Sequence, residues 1–399
     1  MDFSSVNRFN GLVNFVCGNL LPLTDDATKF SKAQKLYSAF TWILEFTYFL
    51  VTTFGIFFTT NQRIFQDTTV NQAVVIEILI LGFYMNLRRG LIYRLIGQMN
   101  SVLINVETLK ECVEKTVKPL QRPLKLYTIF ATVTVVLFCG SPIYKVFKKD
   151  QFSYNDFRIP AYIPGEPYST GLFIAGILFE TLGGFYTILK KASIDIYLIH
   201  VITLLTAQYK YLSLELINII NGKNENINKS DLESLDNERN EKIEKTVQIE
   251  LKKWIRHREV VMEIGKILKN LLVLNVVYVY LNCIFRFCFL GFLLISSSGD
   301  YFIQALVCSY TVVCLMQVYV LCFCAQNLLD SSTAMTHDAF YEKWYAYGPS
   351  TKRIFSMILI SNKMECRLSM CGVVDLTLPT FMAILKNSYS ACLFLLKVK

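Results

Sequence analysis

The sequence predicts an all-α membrane protein: seven transmembrane helices in inverted topology, with the N-terminus cytosolic, above a cytosolic helical anchor layer. Three observations carry this. Apolar residues make up 53% of the 399, and charged residues only 18%, against roughly a quarter charged in soluble domains. Seven runs are long and apolar enough to cross a bilayer, which takes roughly 20 residues. The basic residues gather on alternate loops, as membrane topology requires. The net charge of +9 is therefore a topology signal, and no nucleic acid is expected as a partner.

The first 35 residues hold a short apolar patch, Leu12 to Leu21, broken by Asn14, Gly18 and Asn19. It lacks the basic start and small-residue cleavage site of a signal peptide and reads as an interfacial or re-entrant segment. Span one, Leu36 to Thr59, carries one charge, Glu45. Span two, Thr68 to Leu87, carries only Glu77. Span three, Leu126 to Tyr144, is uncharged. Span four, Tyr168 to Leu189, contains only Glu180, and span five, Asn270 to Ser298, only Arg286. Span six, Tyr301 to Leu329, is uncharged over 29 residues, and span seven, Leu376 to Leu396, contains only Lys386. The chain thus divides into an N-terminal segment (1–35), spans one to four (36–220), a cytosolic loop and helix (221–269), spans five and six (270–329), anchor helices (330–375) and a last span (376–399).

Loop charge sets the orientation. The regions 1–35, 88–125, 190–269 and 330–375 hold 31 Lys and Arg, and the alternate loops hold five. The positive-inside rule places the former in the cytosol, and with them the N-terminus. The C-terminus is then outside, the reverse of a G-protein-coupled receptor. The sequon Asn228-Lys229-Ser230 falls on the cytosolic side, where no sugar is added.

The loop Asp150 to Glu166, flanked by Pro167 and containing Pro160, Pro164 and several aromatics, suits an ordered outer lid or a plain surface loop. Asn221 to Asn240 has the composition of a disordered segment. Glu241 to Lys269 turns helical, with Ile243, Val247, Leu251, Trp254, Ile255 and Ile264 as an apolar stripe, and runs straight into span five. His337 to Leu368 holds two further helical segments, Ala339 to Tyr345 and Lys352 to Ile360.

Most of the twelve cysteines lie inside apolar runs and none forms a CxxC pair, so no zinc site or disulfide framework is indicated. His200, His257 and His337 lie far apart. There is no Walker loop, HExxH or nucleophile elbow, so neither an enzyme nor a cofactor is expected.

Three features bear on function. Charges inside a bilayer usually face the bundle interior; Glu77, Glu180 and Arg286 supply either a Glu–Arg pair lining a pocket or ties between helices. Aromatics of spans two to six, among them Phe83, Tyr84, Phe138, Tyr144, Phe173, Phe179, Tyr280, Phe302 and Tyr310, wall an apolar cavity or face lipid and core. Span seven is the least apolar, interrupted by Thr377, Thr380, Lys386, Asn387, Ser388, Tyr389 and Ser390. That mixture suits a pore helix or a helix buried among the others. A pore reading needs a ring of subunits, with Leu393 to Leu396 as an apolar constriction.

The C-terminal region carries Phe340-Tyr341-x-x-Trp344-Tyr345, Cys371-Gly372, Leu376-Thr377-Leu378-Pro379-Thr380-Phe381 and Ile384-Leu385-Lys386-Asn387-Ser388-Tyr389-Ser390. These residues resemble the terminal signature of insect odorant receptors over about 60 residues. The resemblance implies a ligand-gated, non-selective cation channel. An odorant-tuned subunit would assemble with a common co-receptor as a heterotetramer in the plasma membrane of olfactory sensory neurons. The last helix would line the pore, the cytosolic layer would join subunits, and a small volatile odorant would bind among spans two to six. Ser390, Ala391 and Lys397 stand where the co-receptor has other residues, and the co-receptor's long loop insertion is missing, so this chain is similar to a tuned subunit. By the same match Phe394 falls at the apolar gate and Lys397 near the outer mouth. Both would oppose cation flow in a ring of four such chains. The rival readings are a G-protein-coupled chemoreceptor and a membrane transporter for a small apolar ligand. The loop charges oppose the first, and the second usually shows inverted repeats that are not evident here.

Overall fold

Long apolar segments that cross lipid must satisfy their backbone groups internally, which leaves helices as the economical solution. The computed structural model describes residues 1–24, 30–58, 62–104, 106–159, 165–228, 236–296, 301–361, 365–370 and 374–398, and these are almost entirely helical. The order is α1 (Phe3–Val6), α2 (Arg8–Cys17), α3 (Lys32–Phe58), α4 (Gln62–Leu87), α5 (Arg89–Val102), α6 (Glu107–Gly140), α7 (Thr170–Asn228), α8 (Asp236–Ser296), α9 (Tyr301–Tyr341), α10 (Pro349–Ser361) and α11 (Leu378–Val398). One two-residue hairpin, β1 (Ser369–Met370) and β2 (Val374–Asp375), pairs Ser369 opposite Asp375. Six described helices, α3, α4, α6, α7, α8 and α9, are long and apolar enough to cross a membrane. The seventh, α11, is long enough at 21 residues, about 31 Å at 1.5 Å per residue. It falls short only in apolarity, as its polar interruptions imply.

The N-terminal segment is largely helical, α2 taking in most of the apolar patch. In α2 the buried residues include Asn10 and Asn14, while Leu12, Phe15 and Val16 face outward. The buried face is mixed, with Val13 and Cys17 beside the two asparagines, and the apolar residues turned outward suit the membrane interface. Gly18 ends α2 with φ 73°. A side chain there would also collide with the Thr41 hydroxyl of α3.

Three expectations need correction. Region 88–125 is not a loop: it holds α5 and the first half of α6, in which Pro119 and Pro123 are accommodated. Asn221 to Asn240 is not wholly irregular: α7 continues to Asn228 and α8 opens at Asp236. Residues 229–235, including Lys229 and Ser230 of the sequon, lie outside the described residues, as do Pro160, Pro164, Cys371 and Gly372. Finally, span four does not give way to a loop after Leu189. Every residue from Lys190 to Tyr209 is buried within α7, so a helix that reads as leaving the membrane is the axis around which the others pack.

With 59, 61 and 41 residues, α7, α8 and α9 far exceed a hydrocarbon core of about 30 Å. They project on the N-terminal side and form the helical layer with α10. The expected stripe on α8 is buried there: Val247, Leu251, Trp254 and Ile264. The indole of Trp254 donates to the Leu212 carbonyl of α7 at 2.9 Å. The Tyr347 hydroxyl donates to the Ile220 carbonyl at 2.6 Å, and Thr351 of α10 donates to Glu244 of α8 at 2.9 Å.

Candidate functional site

At the end of the bundle opposite the N-terminus the helices part around a cavity of about 70 Å³. Its walls are Val70, Asn71 and Val74 of α4, Thr134, Val135, Phe138 and Cys139 of α6, Gly184, Thr187 and Ile188 of α7, Leu290 and Leu293 of α8, and Leu306, Val307 and Tyr310 of α9. The lining is mainly aliphatic, with a few hydroxyls and one amide, as in sites that take small apolar molecules. Gly184 lets α6 and α7 close: a β-carbon there would stand 2.9 Å from Val135 Cγ1 and 3.1 Å from Cys139 Sγ.

The loop after α6 supplies Ile159 to the same cavity. It is knotted by a cluster of the aromatics Phe152, Phe157, Tyr168 and Phe173 with Ile177. Phe152 stacks on Phe173 with centroids 4.0 Å apart, and the backbone of Phe152 pairs with that of Tyr168. Asp156 accepts from Lys149 at 2.9 Å, Lys145 at 3.3 Å and the Ser153 amide at 3.0 Å. Burial acts to raise the Asp156 pKa, but the hydrogen bonds from Lys149 and Ser153 and the charge of Lys145 outweigh it and hold the carboxyl below its usual value.

Beyond the cavity floor lies a polar hub. Lys191 of α7 sits 2.5 Å from Glu77 of α4 and 3.0 Å from Asp195 one turn on. Asn282 of α8 donates to Glu77. Gln317 of α9 and Tyr127 of α6 donate to Asp195 at 2.7 and 3.2 Å. Arg286 of α8 is buried within electrostatic reach of Glu77 and of Tyr310 in the cavity wall. Five helices thus meet on two acids and two bases. A second buried pair, Lys190 with Glu45 at 3.5 Å, ties α7 to α3, with Thr187 also donating to Glu45 at 2.7 Å.

The last helix packs one narrow face, Ile384, Ser388 and Cys392, against α8 and α9. Lys386, Ser390, Leu393, Phe394 and Lys397 stand exposed on its other side. Tyr280 of α8 accepts from Asn387 at 3.3 Å, linking α11 to the helix that carries Arg286 and Asn282.

Of the predicted cavity residues, the structure brings Phe138 and Tyr310 to the cavity. Phe83 and Tyr84 do not reach it: they lie nine and ten residues beyond Val74 along α4, about 14 to 15 Å away. Glu77 turns from the cavity to Lys191. Phe173 is committed to the loop cluster, and Phe179 packs edge-on against Tyr48 at 6.0 Å. Tyr280 serves α11. Tyr144 and Phe302 are 51% and 56% exposed on the outside of the bundle. The expected Glu–Arg pair is in fact a four-charge cluster that takes in Lys191 and Asp195. Those two follow the last residue of a hydropathy window and so read as loop. The aliphatic lining carries no local signal, since valine and leucine are the commonest residues of any span.

A family model described as 7tm odorant receptor matches residues 67–389. Odorant receptor 67a of Drosophila melanogaster is 30% identical over 97 residues, 24% of this chain and 23% of that protein. The aligned stretch therefore spans under a quarter of that relative. Among solved structures, the insect olfactory receptor OR5 from Machilis hrabei superposes with a TM-score of 0.81 at 11% identity, covering 100% of both chains. The same receptor in complex with eugenol gives 0.81 at 12% identity, covering 100% of this chain and 99% of that one. At such identity the likeness concerns the fold alone.

Proposed function

Because the chain belongs to the 7tm odorant receptor family, we propose that it is an odorant-tuned subunit of a ligand-gated, non-selective cation channel. It takes a small apolar volatile in the cavity between α4, α6, α7, α8 and α9. It assembles with co-receptor subunits as a heterotetramer, with α11 on the pore axis, in the plasma membrane of olfactory sensory neurons. Its N-terminus and helical layer lie in the cytosol. Moving Lys190 and Lys191 out of the loop count leaves 29 basic residues against five, so the orientation argument keeps its force. The structure of OR5 with eugenol supports a small aromatic or terpenoid-sized ligand as the class to screen first.

The observation that carries this reading is that one helix, α8, joins every part. Leu290 and Leu293 line the cavity, Arg286 and Asn282 sit in the polar hub, and Tyr280 holds Asn387 of α11. A ligand that prefers one packing of α8 therefore biases the position of α11, by no more than its difference in affinity for the two arrangements. Leu306→Trp, which fills the cavity, is expected to abolish odorant-evoked current in cells co-expressing the co-receptor while surface protein stays unchanged. Phe302→Ala, on the outer surface of the same helix, is expected to leave the dose–response curve in place. A normal response from Leu306→Trp at normal surface level would place the ligand elsewhere.

A further inference from the structure

A second, larger cavity of about 420 Å³ opens at the other end of the bundle, between residues 19–22, α3, α4, the start of α5 and Ile194 of α7. It is remote from the odorant cavity and shares no lining residue with it. Its lining is mostly apolar, with Leu20, Leu21, Pro22, Met85, Ile92 and Ile194 beside a few polar groups. Ser38, Asn86 and Arg89 lie at the N-terminal end, whereas Trp42, Phe46 and Leu79 lie one to two turns deeper. From Ser38 to Phe46 the crevice runs about 12 Å along α3. Phe46 and Phe83 on its rim are exposed. Gly82 forms part of the wall because any side chain there would collide with the Trp42 ring.

The head of the crevice is cationic. The Arg89 guanidinium lies over Phe30 and Tyr93 at 5.4 and 5.7 Å and donates to the Tyr93 hydroxyl at 3.3 Å. Its buried Nε has no hydrogen-bond partner, and no carboxylate among the described residues pairs with the side chain. The segments 27–44 and 78–106 contain no acidic residue but do contain Lys29, Lys32, Lys35, Arg88, Arg89 and Arg94; Asp25 and Asp26 lie outside the described residues. An arginine held by rings, with no counter-charge among the described residues, offers its charge and its terminal nitrogens to a phosphate.

We propose that this crevice is a binding site for an anionic phospholipid of the leaflet at the N-terminal end. The phosphate sits at Arg89, and one acyl chain lies along Trp42 and Phe46. A lipid offers an anion to Arg89 and a chain to the apolar wall, where a purely apolar guest would leave the guanidinium unanswered. The leaflet is the one that loop charge assigns to the cytosol, where acidic lipids concentrate.

The test uses the full chain in nanodiscs that contain brominated phosphatidylserine or brominated phosphatidylcholine. Tryptophan emission is read, and the share of Trp42 is taken as the difference from Trp42→Phe. Half-quenching by the anionic lipid is expected at a mole fraction about fivefold lower than by the zwitterionic one, the preference that one basic side chain confers at an anionic membrane surface. Arg89→Gln is expected to bring the ratio to about one, and Arg89→Lys to keep most of it, which separates loss of charge from disturbance of the fold. Equal quenching by both lipids in the wild type would mean an apolar guest or unselective lipid and overturns the proposal. Quenching by neither would mean that another helix covers the crevice, and also overturns it. An undiminished preference in Arg89→Gln would do so as well.

Discussion

A lysine ammonium with 1% of its side chain exposed, such as Lys191, is tolerable in a bilayer only where carboxylates neutralise it. Here Glu77 and Asp195 balance Lys191 and Arg286, so the hub is neutral as a unit. Replacing Lys191 with methionine would leave one unmatched negative charge among five helices. Breaking such a pair typically costs about 3–5 kcal/mol, so Lys191→Met is expected to melt well below the wild type in detergent and to reach the surface in several-fold lower amount. Adding Glu77→Gln restores neutrality and keeps a group that Asn282 can still hydrogen-bond. The double variant is therefore expected to melt between Lys191→Met and the wild type. If the two substitutions simply added their losses, the hub would not be an electrostatic unit. The sequence shows Glu77 and Arg286 because each stands alone inside an apolar run. It hides Lys191 and Asp195 because they follow directly on an apolar window, and a window average cannot tell a buried turn from an exposed one.

At the scale of elements, the loop between α6 and α7 reads as a folded unit held at two points, the Phe152–Phe173 stack and the Asp156 cluster. The carboxyl of Asp156 has a depressed pKa, so its contribution to holding the loop is present above the unfolded value, near 3.9. It is lost as pH falls through the lower folded value. Protection of the amides of residues 152–159, taken relative to their intrinsic exchange at each pH, is therefore expected to persist at pH 5 and to fall below about pH 4, and Asp156→Asn is expected to show reduced protection already at pH 5. Full protection in Asp156→Asn at pH 5 would leave the aromatic stack as the sole fastening. The helices that carry this loop are legible in the sequence because each crosses the membrane as one apolar run, and the stripe from Val247 to Ile264 announces the extension of α8. The extension of α7 and the first half of α6 are not legible. Lysines, asparagines and even Pro119 and Pro123 read as loop in isolation, whereas tertiary packing holds them helical. The cavity proposed for the odorant is the least legible feature, because it is a gap between elements and its valines and leucines look like those that fill any span.

For the molecule as a whole, the surface left uncovered by a single chain points to what must cover it. The outward side of α11 presents Lys386, Ser390 and Lys397 among Met382, Leu393 and Phe394, the last 67% exposed. Lipid does not accommodate two ammonium groups on one helix face cheaply, but a water-filled axis shared with other subunits does. In the helical layer Tyr341, Tyr345, Met357 and Ile360 form a second exposed group, apolar enough to meet a neighbouring chain. A ring of four identical chains would set four Lys397 ammonium groups around one mouth and four Phe394 rings at one constriction, and both raise the barrier to a cation. Cells expressing this chain alone are therefore expected to pass little odorant-evoked cation current, and co-expression with the co-receptor is expected to restore it by replacing some of those groups. Phe394→Leu combined with Lys397→Gln should raise the current of the chain alone without moving the odorant concentration for half-maximal response, since neither residue touches the cavity. A large current from the wild-type chain by itself, or a double variant that shifts odorant sensitivity while conducting no better, would show that α11 does not set the conductance of the assembly.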